Sequence, residues 1–396
     1  MKKFGILLLL LAIFVALTSL TSCMLLQYPQ GNQNREVLKA EIFDGYLWIT
    51  YADAPDNPVK AGKAGEETYL VSPSDDIYFI FELLDDGTYE ISCDSYYSKN
   101  LTKLVIPAEY NGKKVSSIAE DAFEFHSNLE TVIILNGITS IGKSAFYCCS
   151  KLTKIEIPNS VTSIGEYSFS SCDSLTSIEI PNSVTSIGKY SFSSCDSLTN
   201  IKIPNKVTNI DDNTFYDCDQ LTSIEIPNSV TRIGHDAFGG CNGLTSIKIP
   251  NSVTDIGSDA FKDCYNLTSI ELPNSVTQIR NSTFMNCFNL TSILIPDSVT
   301  YIGQHAFEGC RNLTSVVIPN SVTGIYFYAF EGCISLTSIV IPNSVTEISD
   351  FAFKTCPNLT IYCEAESKPE DWGRWWQGTV DNVVWGYKAT QEELPN

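Results

Sequence analysis

The sequence predicts a β-rich repeat solenoid with a 23-residue period, short helical or 3₁₀ turns, and a cap at each end. Three observations predict this fold. Phe recurs at every 23rd position from Phe123 to Phe353, and Leu, Pro and Cys keep the same step beside it. Each copy contains two short stretches in which apolar and polar residues alternate. The array from Phe123 onward has no insertion. A fixed period of this length is the signature of stacked structural repeats.

The copy Leu221–Cys241 shows how each unit divides. Ile224 and Ile226 are separated by one residue, which places both on one face of a strand, and the following Pro ends that strand. Val-Thr-Arg-Ile forms a second short strand. Gly234 marks a bend toward Ala-Phe, where we expect one short helical or 3₁₀ turn. Other copies carry Asp, Arg, Tyr or Ser at the glycine position, so the backbone there need not be left-handed.

The repeated pattern L-x-x-I-x-I-P-x-x-V-x-x-I-G-x-x-A-F-x-x-C, found over residues 101–363, resembles the BspA-type leucine-rich repeat, also called the Treponema pallidum type. The resemblance implies a leucine-rich-repeat solenoid. Known members of that family are exported or surface proteins of host-associated bacteria and some protists, and those with an assigned role bind matrix or other proteins. The resemblance therefore implies binding to a protein partner rather than catalysis.

The first 34 residues read as an export and anchoring segment. Two lysines precede an apolar run from Phe4 to Leu17, and Leu20-Thr21-Ser22-Cys23 follows. This order is typical of a secretory signal peptide, and the run is short for a membrane span of about 20 residues. The segment is similar to that of bacterial lipoproteins, which implies a signal peptide at 1–22, acylation of Cys23 and a tether at 23–34. The predicted location is the bacterial cell envelope, lipid-anchored and surface-exposed.

Both flanks of the array are expected to act as caps, because a solenoid needs its terminal apolar rungs covered. Residues 35–100 lack the period, are rich in aromatic and β-branched residues, and contain a hairpin signal at Asp86-Gly87. Residues 364–396 contain four of the five tryptophans, namely Trp372, Trp375, Trp376 and Trp385. We interpret this cluster as a carboxy-terminal cap, and the alternative is an aromatic platform that binds a glycan.

Composition argues against several classes of function. With 25 Lys and Arg against 46 Asp and Glu, the formal net charge of −21 is unlike that of nucleic-acid-binding proteins and disfavours adsorption to anionic lipid. Contact with a membrane is therefore expected only through the lipid on Cys23. Three His and the absence of the common hydrolase, metalloprotease and phosphate-loop motifs give no support for an enzyme, a metal site or a cofactor.

Ten cysteines follow the 23-residue step, always three residues after the repeated Phe, from Cys149 to Cys356. This is the spacing of one buried face and not of a C-x-x-C ligand set. Like side chains on stacked rungs point the same way and do not meet the torsion that a disulfide requires. We expect free thiols that pack as small apolar groups, with His126 in the same position of the first rung.

The residue between the paired Ile of each copy points outward and is free to vary, so it is the candidate binding position. We call this series the strand row. Its charged section, the primary candidate for binding a partner, is Glu156, Glu179, Lys202, Glu225, Lys248 and Glu271. Apolar residues occupy both ends of the row, with Val105 and Ile133 before the charged section and Leu294, Val317 and Val340 after it. Both signs of charge in one row favour an electrostatically steered encounter.

Three hypotheses about function follow. The first is a lipid-anchored repeat protein that binds a host or neighbouring-cell protein through the charged section, while the caps cover the apolar ends at least partly. A variant of it makes the apolar section Leu294, Val317 and Val340 the binding site. The second is a glycan-binding protein that uses the tryptophans. It fails if those side chains pack onto the last rung. The third, a hydrolase, has no motif behind it.

Lipidation is expected to depend on Cys23, because its thiol is the acceptor that the resemblance to lipoproteins implies. Cys23→Ala should leave an unacylated precursor or a released product, whereas the neighbouring Ser22→Ala variant should still be acylated. Metabolic labelling with palmitate measures this directly, and label on the Cys23→Ala chain would contradict the assignment.

Overall fold

The computed structural model describes residues 37–43, 46–51, 54–63, 69–71, 79–93 and 101–388. The predicted signal peptide, Cys23 and the tether lie outside them. The chain divides into two compact units, residues 1–67 and 68–396. The cap region expected at 35–100 therefore extends over parts of both units.

The first unit contains an antiparallel sheet, whose strands are Val37–Phe43, Tyr46–Tyr51 and Ala54–Lys63. In the second unit, the strands Tyr69–Val71, Phe79–Leu83 and Tyr89–Cys93 pair antiparallel with one another. The hairpin signal at Asp86-Gly87 is confirmed, because Gly87 has a positive φ of 81° and its N–H donates to the Leu84 carbonyl at 2.9 Å.

The two strands predicted in each repeat are present and form two parallel ladders. The first ladder carries the paired Ile; its strands are Lys103–Ile106, Thr131–Ile134, Lys154–Glu156, Ser177–Ile178, Asn200–Lys202, Ser223–Glu225, Ser246–Lys248, Ser269–Glu271, Ser292–Leu294, Ser315–Val317, Ser338–Ile341, Thr360–Cys363 and Asn382–Trp385. Neighbouring strands pair in register, so that Ile201 lies opposite Ile224. The identical side chain of the next rung therefore covers each apolar residue.

The second ladder is made of shorter strands. They are Lys113–Ile118, Ser140–Ile141, Ser163–Ile164, Ser186–Ile187, Asn209–Ile210, Arg232–Ile233, Asp255–Ile256, Gln278–Ile279, Tyr301–Ile302, Gly324–Ile325 and Glu347–Ile348. Lys113–Ile118 pairs in parallel with Tyr89–Cys93 and antiparallel with Glu109–Tyr110, its partner across the Asn111-Gly112 turn. The hairpin of the second unit thus continues this ladder beyond the first rung.

The turn that carries the repeated Phe differs from the expectation of a helical or 3₁₀ turn. No residue that the structure describes is helical. Instead, two residues of each turn are left-handed, as at Ser144 (φ 52°) and Cys148 (φ 56°), and both positions recur every 23 residues. The alternate amides of Ser144, Phe146 and Cys148 donate to carbonyls of the next rung at 2.8–2.9 Å. The turn is irregular because it forms a third hydrogen-bonded ladder between rungs instead of bonding only to itself.

The bend expected at the glycine position is not left-handed, which agrees with the sequence argument. None of the glycines from Gly142 to Gly303 at this position has a positive φ. Glycine is found at this position because the backbones of neighbouring rungs approach closely there. A Cβ added at Gly165 would lie 2.6 Å from the backbone of Gly142 in the preceding rung.

The core is a column of stacked phenylalanines. Ring centroids of successive rungs from Phe123 to Phe353 are 5.2–5.7 Å apart, and the rings lie within 13° of parallel. All eleven side chains are buried. At the amino end, Phe79 of the hairpin meets Phe123 edge-on at 6.5 Å, and Phe81, Tyr89 and Ile91 are buried beside it. The hairpin therefore covers the first ring of the stack.

A ladder of buried thiols runs along the same core. Each of the ten cysteines at the 23-residue step donates its Sγ–H to the Phe carbonyl 26 residues earlier, at 3.1–3.4 Å. None of the cysteines that the structure describes forms a disulfide. His126 lies at the expected position in the first rung, and its Nε2 is 3.4 Å from the Sγ of Cys93. Burial lowers the pKa of His126.

Truncating one ring in the middle of the column should destabilise its neighbours first. Phe238→Ala removes a ring flanked on both sides at 5.5 Å, and we expect a local loss of about 3–5 kcal/mol from the cavity. Hydrogen exchange should show the largest loss of protection in the two adjacent rungs. The control Phe327→Ala, at an exposed phenylalanine, should have little effect. Equal loss of protection along the whole array would contradict nearest-neighbour stacking.

The buried thiols should be unreactive in the folded chain. Burial raises the pKa of Cys195 and of Cys264 to about 12, so few thiolates exist at pH 8, and the sulfurs are inaccessible. Alkylation followed by mass spectrometry should label the partly exposed Cys148 in native protein and all ten buried positions only after denaturation. A crosslink between Cys172 and Cys195 in fresh protein would contradict this.

Candidate functional site

The strand row runs along the first ladder, whose thirteen strands form four parallel sheets of three or four strands. Val105 lies opposite Ile133, Lys202 opposite Glu225, and Lys248 opposite Glu271. All six charged candidates from Glu156 to Glu271 are exposed. The inward and outward assignment made from the alternation therefore agrees with the observed burial. Which partner contacts the row stays a prediction.

Some charged side chains of the strand row form ion pairs with neighbouring residues on the surface. The Lys202 Nζ lies 3.0 Å from a Glu225 carboxylate oxygen, and both side chains are more than 60% exposed. Glu156 pairs in the same way with Lys154 of its own strand at 2.6 Å. Exposed pairs of this kind contribute little to stability. Glu179 and Glu271 make no ion pair with any residue that the structure describes, so they are available to a partner.

The caps were expected to cover both apolar ends of the row at least partly, but Val105 at the amino end is 43% exposed, and the carboxy end is open as well. Leu294 is 72% exposed and Val317 42% exposed, while Val340 is half-buried. The tail adds the strand Asn382–Trp385 to the same ladder instead of folding over it. Two further members thereby join the row. They are Tyr362, opposite Val340, and Val384, which is 41% exposed.

Threonine and serine occupy the other exposed positions of the first ladder, and the threonine hydroxyls already form hydrogen bonds between rungs. The Thr222 hydroxyl donates to the Thr199 carbonyl of the preceding rung at 3.0 Å, and other rungs repeat the bond. These hydroxyls stabilise the stacking of the rungs. Differences between rungs on the exposed surface therefore come from the variable positions.

A second variable series, which the sequence reasoning missed, lies six residues before the strand row, or five in the last rung, where Pro357 precedes Tyr362. We call it the turn row; its members directly follow the buried Cys and are Ser150, Asp173, Asp196, Asp219, Asn242, Tyr265, Phe288, Arg311, Ile334 and Pro357. Backbone bonds stack it, as from the Ser197 amide to the Asp173 carbonyl at 3.1 Å. The 23-residue step contains the signal for this row, because the residues that directly follow the repeated Cys recur at the same interval.

The turn row changes character along the array. At its amino end, partial burial and then the neighbouring carboxylate raise the pKa of Asp196, and Asp173 is affected in the same way. At its carboxy end, the Tyr265 and Phe288 rings stack at 4.8 Å, and the Arg311 guanidinium lies 4.5 Å over Phe288. The row is therefore acidic first and apolar later.

Three of the four clustered tryptophans pack together at the carboxy-terminal end of the phenylalanine column. Trp376 is buried against Phe353 with ring centroids 6.1 Å apart, and Trp372 is buried with its Nε1 donating to the Val345 carbonyl at 3.2 Å. Trp385 packs on both of them. Trp375 alone of the four is exposed, at 52%. A multi-tryptophan platform for a glycan is therefore not present.

One group of three potential metal ligands occurs in the described part of the chain, formed by His235, Asp236 and Asp259. The imidazole lies between the two carboxylates, with Nε2 at 3.0 Å from Asp236 and Nδ1 at 3.4 Å from Asp259. Its Nδ1 is also 2.8 Å from the Ser258 carbonyl. The two carboxylates thus contact opposite nitrogens of the same ring.

Comparison with known proteins identifies the repeat. Residues 89–222, 208–325 and 277–367 match the family described as BspA type Leucine rich repeat region (6 copies), which together cover more than half of the chain. None of the curated proteins compared with the chain matches it. Within the described residues, no helix is long and apolar enough to cross a membrane.

Several solved structures of bacterial proteins are similar to this chain. A leucine rich cell surface protein from Faecalibacterium prausnitzii is 30% identical with a TM-score of 0.56, and the match covers 83% of this chain and 97% of that one. A leucine-rich repeat protein from Bacteroides ovatus is 29% identical with a TM-score of 0.55, covering 80% and 92%. The pneumococcal vaccine antigen PcpA, at 16% identity and a TM-score of 0.50, shares the fold.

Leucine-rich repeats of this family are scaffolds, and no catalytic family matches the chain. The 23-residue rungs, the stacked Phe and Cys columns and the matched residues lead to one assignment: the chain belongs to the BspA-type leucine-rich repeat family.

Proposed function

We propose that this protein is an exported, lipid-anchored component of the bacterial cell envelope that binds a protein of a host or neighbouring cell through the strand row. The observation that supports it is the contrast between constant and variable positions. Inward positions repeat the same few residues, whereas the outward row differs from rung to rung and is exposed. These exposed, varying positions are where a partner can distinguish one rung from the next.

Export and surface exposure are supported by the amino-terminal signal and by the similarity to a cell surface protein of Faecalibacterium prausnitzii. The anchor would be the lipid on Cys23. Beyond that anchor, the acidic chain has no affinity of its own for an anionic membrane.

Charge sets how a partner approaches. The net charge of −21 and the unpaired Glu179 and Glu271 attract a partner with a basic surface, and such steering acts mainly on the association rate and weakens with salt. We assign the docking position to the charged section, Glu156 to Glu271.

Glycan binding is the second candidate, and Trp375 is the one exposed residue of the tryptophan cluster that supports it. The Arg374 guanidinium lies 4.9 Å over that ring, so one face is already occupied. A single half-covered indole is a weak platform. We therefore rank protein binding first.

Reversing the unpaired acidic residues should slow binding of the partner. The mature chain is presented to purified extracellular-matrix and cell-surface proteins, and a captured protein is then studied by binding kinetics. Glu179→Lys with Glu271→Lys should lower the association rate roughly 3–10-fold at low salt, since rim charges act on the on-rate. The fold should stay intact, because both side chains are exposed.

The matched control is Glu166→Lys with Glu347→Lys, two exposed carboxylates outside the strand row. An unchanged association rate in the row variant would contradict the assignment to the charged section. If the row variant binds normally while Leu294→Ser with Val317→Ser abolishes binding, the apolar section alone is the site.

A further inference from the structure

Two variable rows of the array change from charged to largely uncharged, the turn row two rungs before the strand row. The strand row is charged through Glu271 and then continues as Leu294, Val317, Val340, Tyr362 and Val384. The turn row has Asp173, Asp196 and Asp219, then Asn242, and continues from Tyr265 with two aromatic residues, one Arg, Ile334 and Pro357. The surface is thus divided into an acidic zone, formed by the turn-row residues Asp173, Asp196 and Asp219, and an apolar zone. The strand row beside the acidic zone carries both signs of charge, with Lys202 paired to Glu225.

The apolar zone is open along the first ladder. Five consecutive strands, from Ser292–Leu294 to Asn382–Trp385, place no ionisable side chain on the outward face apart from the phenol of Tyr362. At about 4.8 Å between strands, the zone is roughly 19 Å long. In a chain of net charge −21, an exposed uncharged stripe of this length is a feature of a binding surface rather than of a solvated one.

The turn row widens this zone. Tyr265 and Ile334 are 39% and 43% exposed, and Phe288 lies stacked on Tyr265. Each lies six residues before a member of the strand row in its own rung, with only Thr, Ser and Asn exposed between the two rows. Arg311, stacked on Phe288, is the single ionic charge of the two rows inside the zone, and it repels cations.

The acidic zone lies beside the apolar zone on the amino side. Asp173, Asp196 and Asp219 occupy consecutive rungs and are exposed. The Asp217 carboxylate adds to them, and its pKa is raised by partial burial and then by Asp219 and Asp196. Carboxylates that repel one another in this way gain from a cationic partner.

We propose that the two zones together bind one extended protein segment that carries a basic block followed or preceded by an apolar block, with the basic block over Asp173–Asp219 and the apolar block over Leu294–Val384. This deepens the proposed function and rests on it, since it names the chemistry of the partner for the same face. From the rung of Asp173 to that of Val384 there are nine steps, or about 43 Å. About 13 or 14 extended residues match this length.

The probe is a labelled 14-residue peptide with four Lys at one end, a Gly-Ser linker and a Leu-Val-Leu-Trp-Leu block at the other. A peptide with the reverse block order is tested as well, because the rungs are crossed at right angles and do not fix the chain direction. A peptide of the same composition with the Lys and apolar residues interspersed is the control. Fluorescence anisotropy on the full mature chain gives the affinities.

One of the two block peptides should bind at least tenfold more tightly than the interspersed peptide at 50 mM salt. Leu294→Ser with Val317→Ser should remove that preference, and Phe327→Ser, at an equally exposed apolar position away from both rows, should not.

Asp173→Asn with Asp196→Asn and Asp219→Asn should weaken the block peptide about tenfold, whereas Glu166→Gln with Asp297→Asn and Glu347→Gln should leave it unchanged. Removing mutually repelling charges does not endanger the fold, and circular dichroism verifies this.

Equal binding of block and interspersed peptides would overturn the proposal, as would an unchanged affinity in the Leu294→Ser, Val317→Ser variant. Sedimentation of the chain alone tests a different occupant: a dimer that this variant disperses would assign the apolar zone to a second copy and also overturn the proposal. A natural partner that responds to Glu179→Lys with Glu271→Lys but not to these variants would retain the proposed function and refute this inference.

Discussion

Parallel, in-register stacking of rungs is the constraint on which the rest of the structure depends. Each rung leaves its backbone amides and carbonyls open along two strands and one turn, and the next rung satisfies all three sets. In the regular rungs the partner of a residue is then its own counterpart 23 positions away, as Ile224 is for Ile201. An insertion of one residue would move a Phe or Cys out of its column, and this explains why the period is kept without interruption from Phe123 to Phe353.

The same constraint separates structure from function along the sequence. Inward positions hold Leu, Ile, Val, Phe and Cys, since each must contact an identical neighbour. The Cys side chain has two structural roles, because the small thiol both fills space in the core and donates a hydrogen bond to a Phe carbonyl of the preceding rung. Freedom to vary remains at a few outward positions, and a partner can distinguish one rung from another only there.

The two ends of the repeat array differ in structure from its middle. The amino-terminal hairpin continues the second ladder and covers Phe123, whereas the carboxy-terminal tail buries Trp376 on Phe353 and extends the first ladder with one more strand. A segment can therefore cover the core of the solenoid without covering its outward face. The tail covers the core, and because it adds Val384 to the strand row, the apolar zone is longer than the repeats alone would make it.

The sequence by itself determined the period, the two strands per repeat, the buried columns and the outward strand row, because alternation and repetition encode which side of a strand a residue faces. The conformation of the Phe turn needed the tertiary structure: its left-handed residues at Ser144 and Cys148 are set by hydrogen bonds to the next rung, which no local pattern contains. The roles of the four tryptophans and the exposure of Leu294 were decided there as well, since both depend on where the aperiodic tail lies. The alignment of the acidic and apolar zones across two rows emerges only when residues 23 apart become neighbours in space.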